Sequence, residues 1–258
     1  MVKNFTDLTG RVAVVIGGTS GIGRTLANGL AEAGADVVAS GRRLNLCEEV
    51  AAQVEALGRQ SLVHTVNIQD RATIDALRDA VLAKFGHVDI LVNAAGQTFK
   101  QPTKDVEEAR WNQVMDVNLT GILRSCQSFY EPLVKSGHGR VVNIASLSSF
   151  VALLEVAAYC ASKAAVLSLT KNLAIEWAKD GVNVNAIAPG VFPTELNASL
   201  LNGTERGREF ISRTPMRRFG RTEELVGAAV LLSSDAASFI TGQSIAVDGG
   251  FLAAGVTS

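Results

Sequence analysis

Short runs rich in β-branched residues recur along the chain at 12–16, 36–40, 62–65, 89–93, 140–144, 182–187 and 244–247. Between them lie longer stretches, among them 47–57, 72–85 and 159–178, in which apolar residues return every three or four positions. A continuous apolar run reads as a strand buried on both faces, and the three-to-four spacing reads as a helix with one apolar side. Strands alternating with helices pair in parallel through right-handed crossovers. The pattern predicts an α/β fold: a doubly wound, seven-stranded parallel sheet with helices on both faces. No repeat, low-complexity tract or linker interrupts residues 1–258, so a single domain is expected. One stretch breaks the rhythm. Residues 190–220 offer no strand and carry Pro193, Pro215, Gly203 and Gly207 with Arg206, Arg208, Arg213, Arg217 and Arg218. A long excursion after a strand's carboxyl end predicts a lid or substrate-binding loop.

Composition narrows the partners. With 258 residues, 47% of them hydrophobic, and a net charge of −1, the chain has enough apolar mass for one large core and no basic footprint for nucleic acid or anionic membranes. Cys47, Cys126 and Cys160 form no close pair, which points to a reducing compartment, the cytoplasm, rather than a disulfide framework. His64, His87 and His138 are scattered without a second ligand at metal spacing, and no metal site is expected. Neither a signal core nor a membrane-length apolar run occurs. The expected partners are a small molecule and further copies of the chain.

Two places carry chemistry. The first strand runs directly into Gly17-Gly18-Thr19-Ser20-Gly21-Ile22-Gly23 and then a helical pattern. Glycines at a strand-to-helix turn let backbone approach a diphosphate, and the free N–H groups of the helix start favour its charge. Further on, Tyr159 and Lys163 stand four residues apart, with Ser146 thirteen residues upstream. On a helix that spacing places ammonium and phenol on one face. Moving a phenol from about 10 to about 7 takes roughly 4 kcal/mol of anion stabilisation, within reach of one close cation in a dry cleft.

Together with Asn93-Ala94-Ala95-Gly96, Asn118, Pro189-Gly190-x-x-x-Thr194 and Val247-Asp248-Gly249-Gly250, these motifs make the chain resemble the short-chain dehydrogenase/reductase family over nearly its whole length. The resemblance implies a Rossmann fold and an oxidoreductase that moves a hydride between a nicotinamide cofactor and a carbonyl or secondary alcohol. It implies that Tyr159 transfers the proton, Ser146 polarises the carbonyl oxygen, Lys163 holds the nicotinamide ribose and lowers the tyrosine pKa, and Asn118 holds a water in a proton relay. Without that context Asn118 reads equally as a helix-interior amide bonded to backbone. The implied cofactor contacts are Gly17, Thr19, Ser20, Gly21, Ile22 and Gly23 in the first loop. Arg42, Arg43, Asn67 and Ile68 follow the next two strands; Asn93, Ala94 and Gly96 end the fourth; and Tyr159, Lys163, Pro189, Gly190, Val191 and Thr194 complete the set. Two positions depart from the family's pattern: Ile16 stands where threonine is common, and Asn67 where aspartate is common.

At the end of the second strand, where an acid would hold both ribose hydroxyls, the chain has Gly41 followed by Arg42 and Arg43. A guanidinium pairs with a 2′-phosphate, so NADP(H) is favoured over NAD(H); the alternative is that both arginines are solvated charges at a helix start. For the substrate, Ser148, Gln97, Leu153, Leu154 and Phe192 are the candidate contacts in a mainly apolar wall. Glu155, read as lying one turn before Tyr159, is either a partner for a substrate hydroxyl or a solvated carboxylate. The loop arginines either meet an acidic substrate or stay solvated. Gluconate 5-dehydrogenase-like and 3-oxoacyl-carrier-protein reductase-like members look nearest, and the resemblance does not choose between them. A non-catalytic nucleotide sensor and an NAD(H)-dependent polyol dehydrogenase are the competing readings. The family habit and the apolar tail 251–256 imply a homotetramer.

Overall fold

The computed structural model describes residues 4–195 and 197–255. In chain order it runs β1 (Val12–Ile16), α1 (Gly21–Glu32), β2 (Asp36–Ser40), α2 (Leu44–Ala56), α3 (Arg71–Phe85), β3 (Ile90–Asn93), α4 (Glu108–Met115), α5 (Gly121–Ser136), β4 (Arg140–Ile144), α6 (Ala157–Trp177), β5 (Asn183–Pro189), α7 (Ala198–Leu201), α8 (Glu205–Arg213), α9 (Val226–Ser233) and β6 (Ser244–Val247). The strands form one parallel sheet in the order β2-β1-β3-β4-β5-β6. The doubly wound architecture expected from the alternation is therefore the one observed, with six strands among the described residues instead of seven.

The missing strand is the segment 62–65. It runs beside β2, where Val37 donates to the Gln60 carbonyl at 3.0 Å and Val66 donates to the Gly41 carbonyl at 2.9 Å. Between these two bonds the Ser40 hydroxyl donates to the His64 carbonyl, so a side chain takes an acceptor that a main-chain ladder would use. The segment lies at the sheet's edge with Val63 and Thr65 exposed, which explains an apolar alternation without a regular ladder.

Alternation along each strand divides the core in two. Val12, Val14 and Ile16 join Ile74, Leu77, Phe129, Leu133 and Val166 on one face, while Ala13 and Val15 join Leu26, Leu30, Val50, Val54 and Leu232 on the other. Both faces are thus covered by helices, the arrangement that continuous apolar strands require. At the amino ends of the strands, buried Asp89 accepts the Val12 N–H at 2.8 Å and faces Arg11 at 3.6 Å, pinning β1 to the start of β3.

The excursion after β5 contains α7 and α8, and its arginines are engaged within the chain. Arg206 donates to the Leu154 carbonyl at 3.1 Å and Arg208 to the Gly203 carbonyl at 3.4 Å, while Arg217 donates to the Ser212 carbonyl. Arg218 grips Glu224 through two bonds of 2.7 Å, and that pairing holds the Glu224 carboxyl down at about 2. Arg213 lies over the Phe251 ring at 5.5 Å. In the apolar tail one residue packs inward. Phe251 is buried in its own chain, 6.3 Å from the Phe210 ring, and Val256 lies outside the described residues. No helix among the described residues is long and apolar enough to cross a membrane.

Candidate active site

The carboxyl ends of β1, β3, β4 and β5 open onto one cleft of about 330 Å3. Its floor depends on close backbone packing. Gly17 has φ 82, and a Cβ there would lie 2.4 Å from the Ala95 nitrogen; a Cβ on Gly23 would lie 2.1 Å from the Gly17 oxygen. Only glycine allows this turn to fold against the end of β3. We expect Gly17→Ala to lower the melting temperature and to weaken nucleotide binding at least tenfold, read by thermal unfolding and fluorescence titration. Wild-type affinity in this variant would contradict the loop's role as a tightly packed cradle.

The donor set around the cleft suits a dinucleotide. Ser20 precedes α1 without a side-chain cap bond, and the first turn of α1 holds no acid, which leaves its N–H groups to a phosphate. Arg42 and Arg43 line the same cleft at the start of α2 and are exposed, and neither guanidinium has a protein partner among the described residues. The first turn of α2 likewise holds no acidic residue. Asn67 and Ile68 border the cleft, but the Asn67 amide oxygen already accepts the Gln69 N–H at 3.3 Å and Ile68 packs against Gly121.

The chemical end brings Ser146, Tyr159 and Lys163 to this cleft. Ser146 follows β4, and its hydroxyl accepts the Ser148 N–H at 3.1 Å. Tyr159 and Lys163 occupy the first two turns of α6, with Lys163 Nζ 5.8 Å from the tyrosine ring centre. Lys163 is buried and donates to the Ile144 carbonyl at 2.6 Å. Burial holds its ammonium down at about 8. Burial also pushes the Tyr159 phenol up, against a smaller downward pull from its hydrogen bond with Ser146. This is opposite to the lowering expected from the neighbouring lysine. Loss of water around the phenolate sets the direction, and the neighbouring lysine is itself desolvated and directed to a carbonyl.

Asn118 is fully buried in a single π turn spanning Asp116–Thr120, a kink that often marks functional stretches of helix. Its side-chain oxygen accepts the Gln97 N–H at 2.8 Å, and its amide donates to the Gln97 carbonyl at 2.9 Å and to Ser162 at 3.0 Å. The side chain is thus bonded to backbone, and it fixes the loop after β3. Asn118 and Lys163 still border one space: a Cβ on Gly96 would lie 3.6 Å from the asparagine oxygen and 3.7 Å from Nζ.

Other expected positions fall differently. Thr19, Ser20, Gly21, Ile22, Ala94, Pro189, Gly190 and Thr194 line the cleft. Asn93 does not. It is buried in the sheet and donates to Asn143 at 2.9 Å, so it serves packing between β3 and β4. Val191 lines a neighbouring cavity, and its carbonyl accepts the Gly220 N–H at 3.0 Å. Of the substrate candidates, Gln97 and buried Phe192 line the cleft. Ser148 is buried with a hydroxyl that makes no hydrogen bond within the described protein, Leu153 is half-buried, and Leu154 is 77% exposed. Glu155 lies before α6 rather than within it, and pairs with Lys100. Sequence reasoning missed Asn197, which lines the cleft and accepts the Thr194 N–H at 2.8 Å. An amide three residues after the threonine was the available signal.

Comparison with known proteins agrees with this geometry. A family model described as enoyl-(acyl carrier protein) reductase matches residues 16–252. A 2-dehydro-3-deoxy-D-gluconate 5-dehydrogenase of Dickeya dadantii is 40% identical, covering 98% of this chain and 100% of its own. An NAD-dependent glycerol dehydrogenase of Listeria innocua is 38% identical, covering 96% of each chain. Among solved structures, a gluconate 5-dehydrogenase from Burkholderia cenocepacia in complex with NADP and tartrate superposes with TM-score 0.94 at 37% identity, covering 98% of this chain and 99% of that one. The fold and cleft are those of a dinucleotide-type oxidoreductase. The chain belongs to the short-chain dehydrogenase/reductase family and is an enzyme.

Proposed function

We propose that the protein interconverts a keto and a hydroxyl group on a polyhydroxylated acid of the gluconate type, using NADP(H). The observation that carries this reading is the single cleft that joins the glycine turn and the open start of α1 to Ser146, Tyr159 and Lys163. The names of the similar proteins support the substrate class, and the unpartnered Arg42 and Arg43 support the phosphorylated cofactor. When bound, the cofactor supplies or receives the hydride.

The chain's own residues handle charge and protons. As negative charge grows on a carbonyl oxygen, a Ser146 hydroxyl aimed at it stabilises that charge and the Tyr159 phenol delivers a proton. Burial keeps the phenol protonated, the form that can donate to a carbonyl oxygen. Lys163 places its positive charge beside the phenolate left behind, and the π turn at Asn118 fixes the Gln97 loop beside it. Residues 190–220 close the substrate side through Phe192 and Thr194.

One observation favours a second reading, an NAD(H)-dependent polyol dehydrogenase: the glycerol dehydrogenase relative carries that preference in its name. A panel of sugar acids, keto acids, polyols and oxoacyl thioesters assayed with NADPH and NADH separates the two. Turnover of a sugar acid pair with NADP(H) is expected. Polyol turnover with NADH alone would replace the proposal, and cofactor binding with no turnover would indicate a sensor.

A further inference from the structure

Glu155 holds left-handed backbone at φ 62, a region that residues with larger side chains rarely adopt. Strain of this kind persists where the surroundings over-determine it. Several ties converge on the spot. The Glu155 carboxylate stands 3.0 Å from Lys100 Nζ, and its carbonyl accepts the Gln101 N–H at 2.8 Å. The preceding carbonyl, that of Leu154, accepts Arg206 Nη1 at 3.1 Å. The loop after β3 therefore meets the connection into α6 at the strained Glu155, and the helix α8 meets it at the adjoining Leu154.

Two residues later α6 begins, and Tyr159 is its third residue. The start of this helix has no internal fastening: Val156 at the N-cap makes no side-chain bond, and the first turn holds no acid. Helix ends without a cap leave N–H groups uncompensated and fray. Here the turn that carries the phenol is held from outside, through Glu155.

We propose that Glu155 is a positioning residue which, with Lys100 and Arg206, latches the loop after β3 and the helix α8 to the first turn of α6 and so sets the place of the Tyr159 phenol against Ser146. The latch rests on the catalytic reading given above. It lies off the cofactor's path, since neither Lys100 nor Glu155 lines the cleft. Its loss should therefore change the chemical step and spare nucleotide binding.

The test uses Lys100→Ala, Glu155→Gln and the exchanged pair Lys100→Glu with Glu155→Lys, with Tyr159→Phe alongside. Lys100 and Glu155 are partly exposed, so the single variants are expected to fold. Each single variant should lower kcat about tenfold, short of the roughly 100-fold cost of a full 1 Å misplacement. NADPH affinity should stay within about twofold of wild type, and the exchanged pair should recover most of the lost kcat, as the ion-pair part of the latch requires. Wild-type kcat in both single variants, parallel loss of NADPH affinity and melting temperature, or an exchanged pair no better than the single variants would overturn the latch. An inactive Tyr159→Phe beside wild-type single variants would refute the latch alone. An active Tyr159→Phe would refute the catalytic reading and the latch with it.

Discussion

Replacing Tyr159 by phenylalanine is expected to lower kcat by about 10²–10⁴-fold, the usual contribution of a positioned proton donor, while NADPH affinity stays within about twofold. The substitution removes one oxygen and keeps the ring, so α6 and its packing are undisturbed. What disappears is the group hydrogen-bonded to Ser146 and the only phenol in the cleft among the described residues. Ser20 and the glycine turn sit at the junction of β1 and α1, on elements other than α6, and are untouched. A loss in kcat without a matching loss of binding identifies a group that acts in the transition state only. Steady-state kinetics and a fluorescence titration of NADPH measure the two quantities. Activity above about a tenth of wild type would mean that another group, with Ser146 the nearest candidate, delivers the proton.

The contrast between what the sequence made visible and what it hid has physical causes. Strands such as Val12–Ile16 and Arg140–Ile144 were legible because burial on both faces demands continuous apolar residues. The segment Leu62-Val63-His64-Thr65 also carries strand-forming residues but sits at an edge, where a serine side chain replaces part of the ladder, and periodicity does not register that exchange. The glycine turn and the Tyr159-Lys163 spacing were legible because local geometry dictates them. The direction of the tyrosine shift was not, because it depends on how much water a folded cleft excludes. Asn93 illustrates the same limit: its place beside Gly96 in the chain pointed to the cofactor, yet the pleat turns its amide into the sheet toward Asn143. The ties at Glu155 join residues 50 or more positions apart, such as Lys100 and Glu155, and have no local signature.

Arg42→Asp is expected to turn the cofactor preference from NADP(H) toward NAD(H), changing the ratio of the two kcat/KM values by about 100-fold. Gly41 directly follows the second strand, and a Cβ there would lie 2.6 Å from Thr19 Oγ1. An acid at position 41 would therefore disturb Thr19, which is buried beside the glycine turn. Position 42 has no such neighbour. Its guanidinium is exposed, lines the cleft and has no protein partner among the described residues, and the first turn of α2 carries no acid to compete for it. A hydrogen bond to a charged group contributes about 1.5–3 kcal/mol when intact, and tenfold corresponds to about 1.4 kcal/mol. Removing the arginine alone accounts for roughly tenfold against NADP(H). The aspartate adds repulsion of a 2′-phosphate and a partner for the free ribose hydroxyls, which supplies the second tenfold. The NAD(H) reaction should improve in absolute terms, which loss of a positive charge by itself would not produce. Salt offers an internal control, because an exposed guanidinium–phosphate pair is screened: the wild-type advantage for NADP(H) should shrink as ionic strength rises, and the aspartate variant should move the other way. An unchanged ratio in Arg42→Asp would place the 2′-phosphate elsewhere, with Arg43 the remaining exposed cation at that end of the cleft.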